Sequence, residues 1–120
     1  MTEATTHKGS CHCGKVRYEV TAAFDQPVLS CNCSICRRKG TLLSFVPADA
    51  FRLLSGKDAV TDYQFHTKNI HHLFCSTCGV TSFATGTAPD GARMVAINMR
   101  CLEDVDLKTL PVMEFDGASQ

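Results

Sequence analysis

The sequence predicts a small, mainly β protein that is stapled by bound metal. Three observations favour this class: short segments in which apolar and polar residues alternate, the lack of a long amphipathic helical stripe, and eight cysteines in 120 residues. A chain of this length has room for one modest core, so we expect a single domain over residues 1–120. With two tyrosines, seven phenylalanines and no tryptophan, such a core needs a further source of stability, and a bound metal is the natural one.

The first predicted strand carries the clearest pattern. Residues 15–20 alternate strictly, which places Val16, Tyr18 and Val20 on one face and charged side chains on the other. Other predicted strands are rich in β-branched or aromatic residues and are separated by glycine-containing or proline-containing turns. These strands cover residues 41–46, 60–66, 70–74, 80–85 and 94–100.

Helix is predicted only as two short turns, at residues 48–53 and 102–110. In the second turn, Asp104 and Asp106 precede Lys108, and Pro111 closes the segment. No segment of about ten residues combines an apolar i, i+3, i+4 stripe with caps at both ends.

The charge balance and the lack of targeting signals restrict the partners and the compartment. Twelve basic residues balance twelve acidic ones, so no global positive field attracts nucleic acid or an anionic membrane. The N-terminal residues lack the apolar centre of a signal peptide, and no apolar run approaches the roughly 18 to 20 residues that span a bilayer. We therefore expect a cytoplasmic protein whose clustered thiols are metal ligands or catalytic groups rather than disulfides.

Two of the cysteine groups have the form of zinc knuckles. In each, a glycine directly follows the second cysteine, and glycine permits the positive φ with which a tight turn wraps two thiolates around one ion. Each group also adjoins a predicted strand, so a sheet can bring the two together. We expect a closed structural zinc site with four cysteine ligands: Cys11, Cys13, Cys75 and Cys78.

The central group then has three thiols for a second metal: Cys31, Cys33 and Cys36. Three protein ligands and a vacant position are typical of a catalytic zinc. Such a centre carries a net negative charge, which the adjacent basic side chains can offset while they bind an incoming anion. These basic residues are Arg37, Arg38 and Lys39.

Other interpretations of these residues stay open at this stage. Cys101 could complete the central site as a fourth ligand, although a buried free cysteine fits its position after a strand better. The pair Cys33 and Cys36 could form a redox dithiol, but the βαβ pattern that accompanies such motifs is missing. The basic run could be a solvated loop or, less favoured, a contact for nucleic acid.

Two adjacent histidines are expected on opposite faces of a predicted strand, because successive side chains alternate; we call this alternation strand parity. His72 shares a face with Ile70 and Phe74, whereas His71 points the other way. At most one of them can therefore lie near a given metal. A structural histidine is the default interpretation of each, and a ligand or proton shuttle is the alternative.

Three motifs together resemble the glutathione-dependent formaldehyde-activating enzyme family, which includes the centromere protein V domain. They read GSCHCGKVRY at 9–18, CNCSICRR at 31–38 and FCSTCG at 74–79, and AINMRCL at 96–102 resembles the last strand of the family. The resemblance covers about residues 8–110. It implies a β-tent fold, in which short antiparallel sheets are stapled by one structural and one catalytic zinc.

The resemblance also implies the ligand sets given above and a carbon–sulfur lyase activity. The reaction interconverts S-hydroxymethylglutathione with formaldehyde and glutathione, and the substrate is a small-molecule thiol adduct. The alternative is a non-catalytic zinc-binding module in which both metals are structural. Neither interpretation involves nucleic acid or a membrane.

Overall fold

The computed structural model describes residues 4–24, 26–65 and 69–119. Ten strands dominate it: β1 (Thr5–Ser10), β2 (Arg17–Ala22), β3 (Val28–Cys31), β4 (Leu43–Pro47), β5 (Phe51–Ser55), β6 (Val60–Tyr63), β7 (His71–Cys75), β8 (Phe83–Thr87), β9 (Arg93–Asn98) and β10 (Val112–Phe115). One turn of α-helix, α1, spans Cys36–Lys39. Short 3-10 helices occur at Ala48–Ala50, Lys57–Ala59, Met99–Cys101, Leu107–Thr109 and Gly117–Ser119. The prediction of a mainly β protein is confirmed.

The strands form two sheets. The smaller has the order β1-β2-β5, and the larger has the order β10-β3-β4-β9-β8-β7-β6. Neighbouring strands are antiparallel except for β3 and β10, which run parallel. This parallel pair departs from the expected antiparallel arrangement, because β10 returns to the edge of the sheet only after the long connection that follows β9.

An aromatic cluster joins the two sheets. The Tyr18 ring on β2 lies 5.2 Å from the Phe51 ring on β5 and 5.8 Å from the Phe83 ring on β8. The predicted facing of the first strand is confirmed, since Val16, Tyr18 and Val20 are fully buried. The hydroxyl of Tyr18 donates to the carbonyl oxygen of Ser82 at 3.3 Å, which gives this buried phenol a partner.

Several elements differ from their predictions. Strand β1 was not predicted, because its sequence TTHKGS lacks apolar alternation and becomes a strand by pairing with β2. The predicted turn at 48–53 is helical only over Ala48–Ala50, after which β5 begins. Strand β6 ends at Tyr63, and His66, the last residue of the predicted strand, lies outside the described residues. Within the described ranges, no helix has the length and apolar character needed to cross a membrane.

Candidate metal centres and the adjoining cavity

Four cysteine sulfurs meet between the two sheets. Cys11 and Cys13 lie in the turn after β1, and Cys75 and Cys78 lie at the end of β7. All four Sγ atoms lie within 4.8 Å of one another, and Cys13 Sγ is 3.6 Å from both Cys11 Sγ and Cys75 Sγ. Tetrahedral zinc with Zn–S bonds of about 2.3 Å requires sulfurs about 3.8 Å apart. The two measured separations are therefore close to those of a tetrahedral zinc site.

Tight turns hold these sulfurs in place. The glycines that follow the second cysteine of each pair adopt positive φ, +83° at Gly14 and +80° at Gly79, as the sequence predicts. Backbone N–H groups also point at the sulfurs: the amide of Val16 donates to Cys11 Sγ at 3.4 Å, and the amide of Thr77 donates to Cys75 Sγ at 3.4 Å. Such donors favour the thiolate form that a metal binds.

The second cluster contains three thiols within a single loop. Cys31 ends β3, Cys36 begins α1, and Cys33 lies between them; their Sγ atoms lie within 4.8 Å of one another. The amide of Cys33 donates to Cys31 Sγ at 3.4 Å, and the amide of Arg37 donates to the carbonyl of Cys33 at 3.1 Å. Burial raises the pKa of the Cys36 thiol to about 12, so metal binding there must displace a proton.

Cys101 belongs to neither cluster. Its thiol donates to the carbonyl oxygen of Thr81 at 3.8 Å, and burial raises its pKa. The thiols whose charges affect it are Cys11 and Cys78, on the side of the four-cysteine cluster. The structure therefore gives no support to Cys101 as the fourth ligand of the three-cysteine cluster.

The three-cysteine cluster opens into a cavity of about 240 Å³. Its polar lining residues among those described, apart from the cysteines, are Lys39, Thr41, His72, Thr81 and Asn98. The remaining wall is apolar and comes mainly from strands of the larger sheet, with Ile35, Phe65 and Ile70 from the loops beside them. A ligand in this cavity would lie beside the three cysteines.

The two adjacent histidines separate as strand parity predicts. His72 is buried and lines the cavity, whereas His71 turns away and its Nδ1 lies 2.7 Å from Asp62 Oδ2. Burial, followed by the positive charge of Lys39, lowers the pKa of His72. Near neutral pH its imidazole is therefore uncharged and can accept a proton.

The structure divides the basic run. Lys39 lines the cavity, where its Nζ donates to Thr81 Oγ1 at 2.9 Å, and burial lowers its pKa. All three residues are exposed at the surface, but Arg37 and Arg38 do not line the cavity, and Arg38 donates to the carbonyl of Ser34 at 2.7 Å. Of the three predicted anion-binding residues, Lys39 is the one positioned beside the thiols.

A C-terminal segment closes one side of the cluster, and the sequence did not predict this role. We call residues 112–119 the C-terminal clasp; it consists of β10 and the following 3-10 turn. Asn32, between two cysteines, donates to Asp116 Oδ1 at 3.0 Å and accepts from the amide of Ala118 at 2.9 Å. Phe115 lines the cavity, and a Cβ added to Gly117 would overlap Cys31 Sγ. The only sequence signal was the short β-favouring run VMEF at 112–115.

Comparison with known proteins identifies the family of the chain. Residues 6–115 match the family model described as glutathione-dependent formaldehyde-activating enzyme. The chain belongs to this family.

Two known proteins are similar to this chain, one in sequence and one in fold. A protein of Halomonas elongata named as a glutathione-dependent formaldehyde-activating enzyme is 34% identical over 79 residues, which are 59% of this chain. The match spans 50% of that relative, so the chain aligns with about half of its length. A crystal structure of a Rhodobacter sphaeroides protein is 32% identical, with a TM-score of 0.75, and covers 88% of this chain and 99% of its own. The fold is therefore shared with a solved structure.

Proposed function

We propose that the protein is a zinc-dependent carbon–sulfur lyase that interconverts S-hydroxymethylglutathione with formaldehyde and glutathione. The observation that carries this proposal is the contrast between the two thiol clusters. Four thiols enclose one site, whereas Cys31, Cys33 and Cys36 offer three ligands at the wall of a cavity. Membership in a family named for formaldehyde and glutathione supports the choice of substrate.

In this proposal the two clusters hold zinc for different purposes. Cys11, Cys13, Cys75 and Cys78 hold a structural ion that contributes folding free energy. Zinc held by the three-cysteine cluster would supply Lewis acidity and favour the thiolate form of a substrate sulfur.

The cavity residues have matching roles. The ammonium group of Lys39 offsets the negative charge of three thiolates and attracts an anionic substrate. The uncharged imidazole of His72 accepts the hydroxyl proton of the adduct as the carbon–oxygen double bond forms, and returns it to the departing sulfur. The electron pair of the carbon–sulfur bond leaves with sulfur, and the products are formaldehyde and glutathione.

An exchange measurement tests the proposal. Two-dimensional NMR of mixed formaldehyde and glutathione gives the rate at which the adduct forms and breaks. We expect the zinc-loaded wild type and Cys101→Ser to accelerate this exchange. With Cys33→Ser, the exchange rate should equal the rate without enzyme. Cys101 is the matched control because it lies outside both clusters. Equal rates for wild type and Cys33→Ser would favour the alternative of a non-catalytic zinc-binding module.

A further inference from the structure

The wall of the cavity beside the three thiols is mainly apolar. Besides the polar residues named above, the lining includes Ile35, Leu43, Phe45, Phe65, Phe83 and Phe115. Among the described lining residues none is acidic, and Lys39 is the basic one. Binding of an apolar ligand against such a wall is favourable, because apolar surface is removed from water. Binding of an unpaired charge there is unfavourable, because the charge loses its hydration.

The chemistry of glutathione decides which part of an adduct can enter this wall. Glutathione carries two carboxylates and an ammonium group, and the lining residues that the structure describes offer one lysine and no carboxylate to pair with them. Its charged ends must therefore stay at the mouth. The group that reaches inward is the one attached to the sulfur, which derives from the carbonyl compound.

Formaldehyde leaves most of this space unused. A hydroxymethyl group has two heavy atoms and fills the space of about two water molecules, ~60 Å³. The cavity measures about 240 Å³. A larger carbonyl-derived group would occupy the remainder and displace water from apolar side chains.

The apolar surface also continues beyond the cavity. A second cavity, of about 330 Å³, shares the side chains of Phe45, Ile70, Ala84 and Ala96 with the first and extends to Met94. Phe45 and Ile70, at this shared boundary, are 54% and 49% exposed. The two cavities together form an apolar track that starts at the thiol cluster.

We propose that the site takes hemithioacetals of apolar aldehydes, aliphatic or aromatic, with the aldehyde-derived group on this track. The inference rests on the proposed function and specifies its substrate class. The reaction breaks the carbon–sulfur bond with its electron pair going to sulfur; the hydroxyl loses its proton, the aldehyde carbonyl forms, and sulfur regains a proton. No oxidant or reductant is needed.

Stable thioethers test the inference by binding alone. Zinc-loaded protein is titrated by calorimetry with S-methyl-, S-butyl- and S-hexylglutathione. We expect the dissociation constant to fall by about fourfold for each added methylene that is buried, as transfer from water to an apolar site predicts. A dissociation constant that does not change with chain length would overturn the inference.

Matched variants locate the track. Phe45→Ser and Ile70→Ser remove apolar surface at the shared boundary, and Leu54→Ser changes a similarly exposed side chain on the other sheet. We expect the dissociation constant to depend less on alkyl chain length in Phe45→Ser and Ile70→Ser than in the wild type. In Leu54→Ser the dependence should be unchanged. An unchanged dependence in both boundary variants would overturn the proposed location.

The exchange assay keeps the two proposals distinguishable. Chain-length-dependent binding without accelerated exchange would support the apolar track and refute the lyase activity. Accelerated formaldehyde exchange with no dependence on chain length, and no acceleration with butanal, would support the lyase and refute the inference.

Discussion

The contact between Gly117 and Cys31 makes a single methyl group a test of the three-cysteine site. Gly117 does not adopt a positive φ, so alanine there costs no backbone strain. The added Cβ would overlap Cys31 Sγ and would lie 3.2 Å from Cys33 Cβ and 3.5 Å from the Phe115 ring. Either the sulfur or the clasp must move.

The magnitude follows from the cost of overpacking. Extra methyl groups in a well-packed site typically cost about 1–3 kcal/mol. If that cost falls on the metal-bound form, Gly117→Ala weakens metal binding at the three-cysteine site by about 5- to 150-fold. The four-cysteine cluster contains none of the atoms against which the new methyl group would press, so its affinity should not change.

Competition with a chromophoric chelator measures both affinities in one titration. Gly86→Ala is the matched control, because its added Cβ would come no closer than 3.5 Å to a neighbouring atom, Ile70 Cγ1, and its φ is not positive either. We expect the control to bind metal as the wild type does. Wild-type affinity at both sites of Gly117→Ala, or equal weakening at both, would refute the reasoning.

Three further variants probe the clasp, the anion site and the core. Asn32→Ala should weaken the three-cysteine site by less than Gly117→Ala does, because it removes hydrogen bonds without adding a clash; the chelator titration measures this. Lys39→Met should raise KM for the glutathione adduct while Arg37→Met leaves it unchanged, as steady-state kinetics can show. Tyr18→Phe should lower the free energy of unfolding by about 1 kcal/mol in urea, since the carbonyl of Ser82 loses a buried donor.

Each of these variants has an outcome that contradicts its premise. Metal affinity in Asn32→Ala equal to the wild type would mean that the clasp does not support the cluster. Equal KM values for the lysine and arginine variants would place the anion outside the cavity. A Tyr18→Phe variant with wild-type stability would show that water replaces the lost donor.

Local chemistry explains which features the sequence could predict. Glycines directly after the second cysteine distinguish the pairs of the four-cysteine cluster from the three-cysteine group. The alternation of apolar and polar residues predicts the buried face of Val16, Tyr18 and Val20. Strand parity likewise separated His71 from His72. Each of these signals lies within a few residues of the feature that it predicts.

The features that escaped prediction depend on distant contacts. Asn32 donates a hydrogen bond to Asp116 and accepts one from Ala118, which lie 84 and 86 positions further along the sequence. The sequence around these two clasp residues has no apolar pattern. Helix α1 is a single turn, too short for a periodic signal. The apolar character of the cavity emerges only when strands from across the larger sheet line one space.

If both clusters bind metal as proposed, their positions predict opposite consequences of losing it. Cys13 and Cys75 are 62 residues apart, and their cluster joins the β1–β2 turn of the smaller sheet to the end of β7 in the larger one. The three-cysteine cluster would draw all its ligands from residues 31–36, so a metal bound there would close only a short loop. Cys78→Ser should therefore unfold the protein, whereas Cys33→Ser should lose one metal and keep its circular dichroism spectrum. Comparable unfolding of both variants would mean that the three-cysteine cluster is also structural. That result would refute the proposed catalytic role of the three-cysteine site.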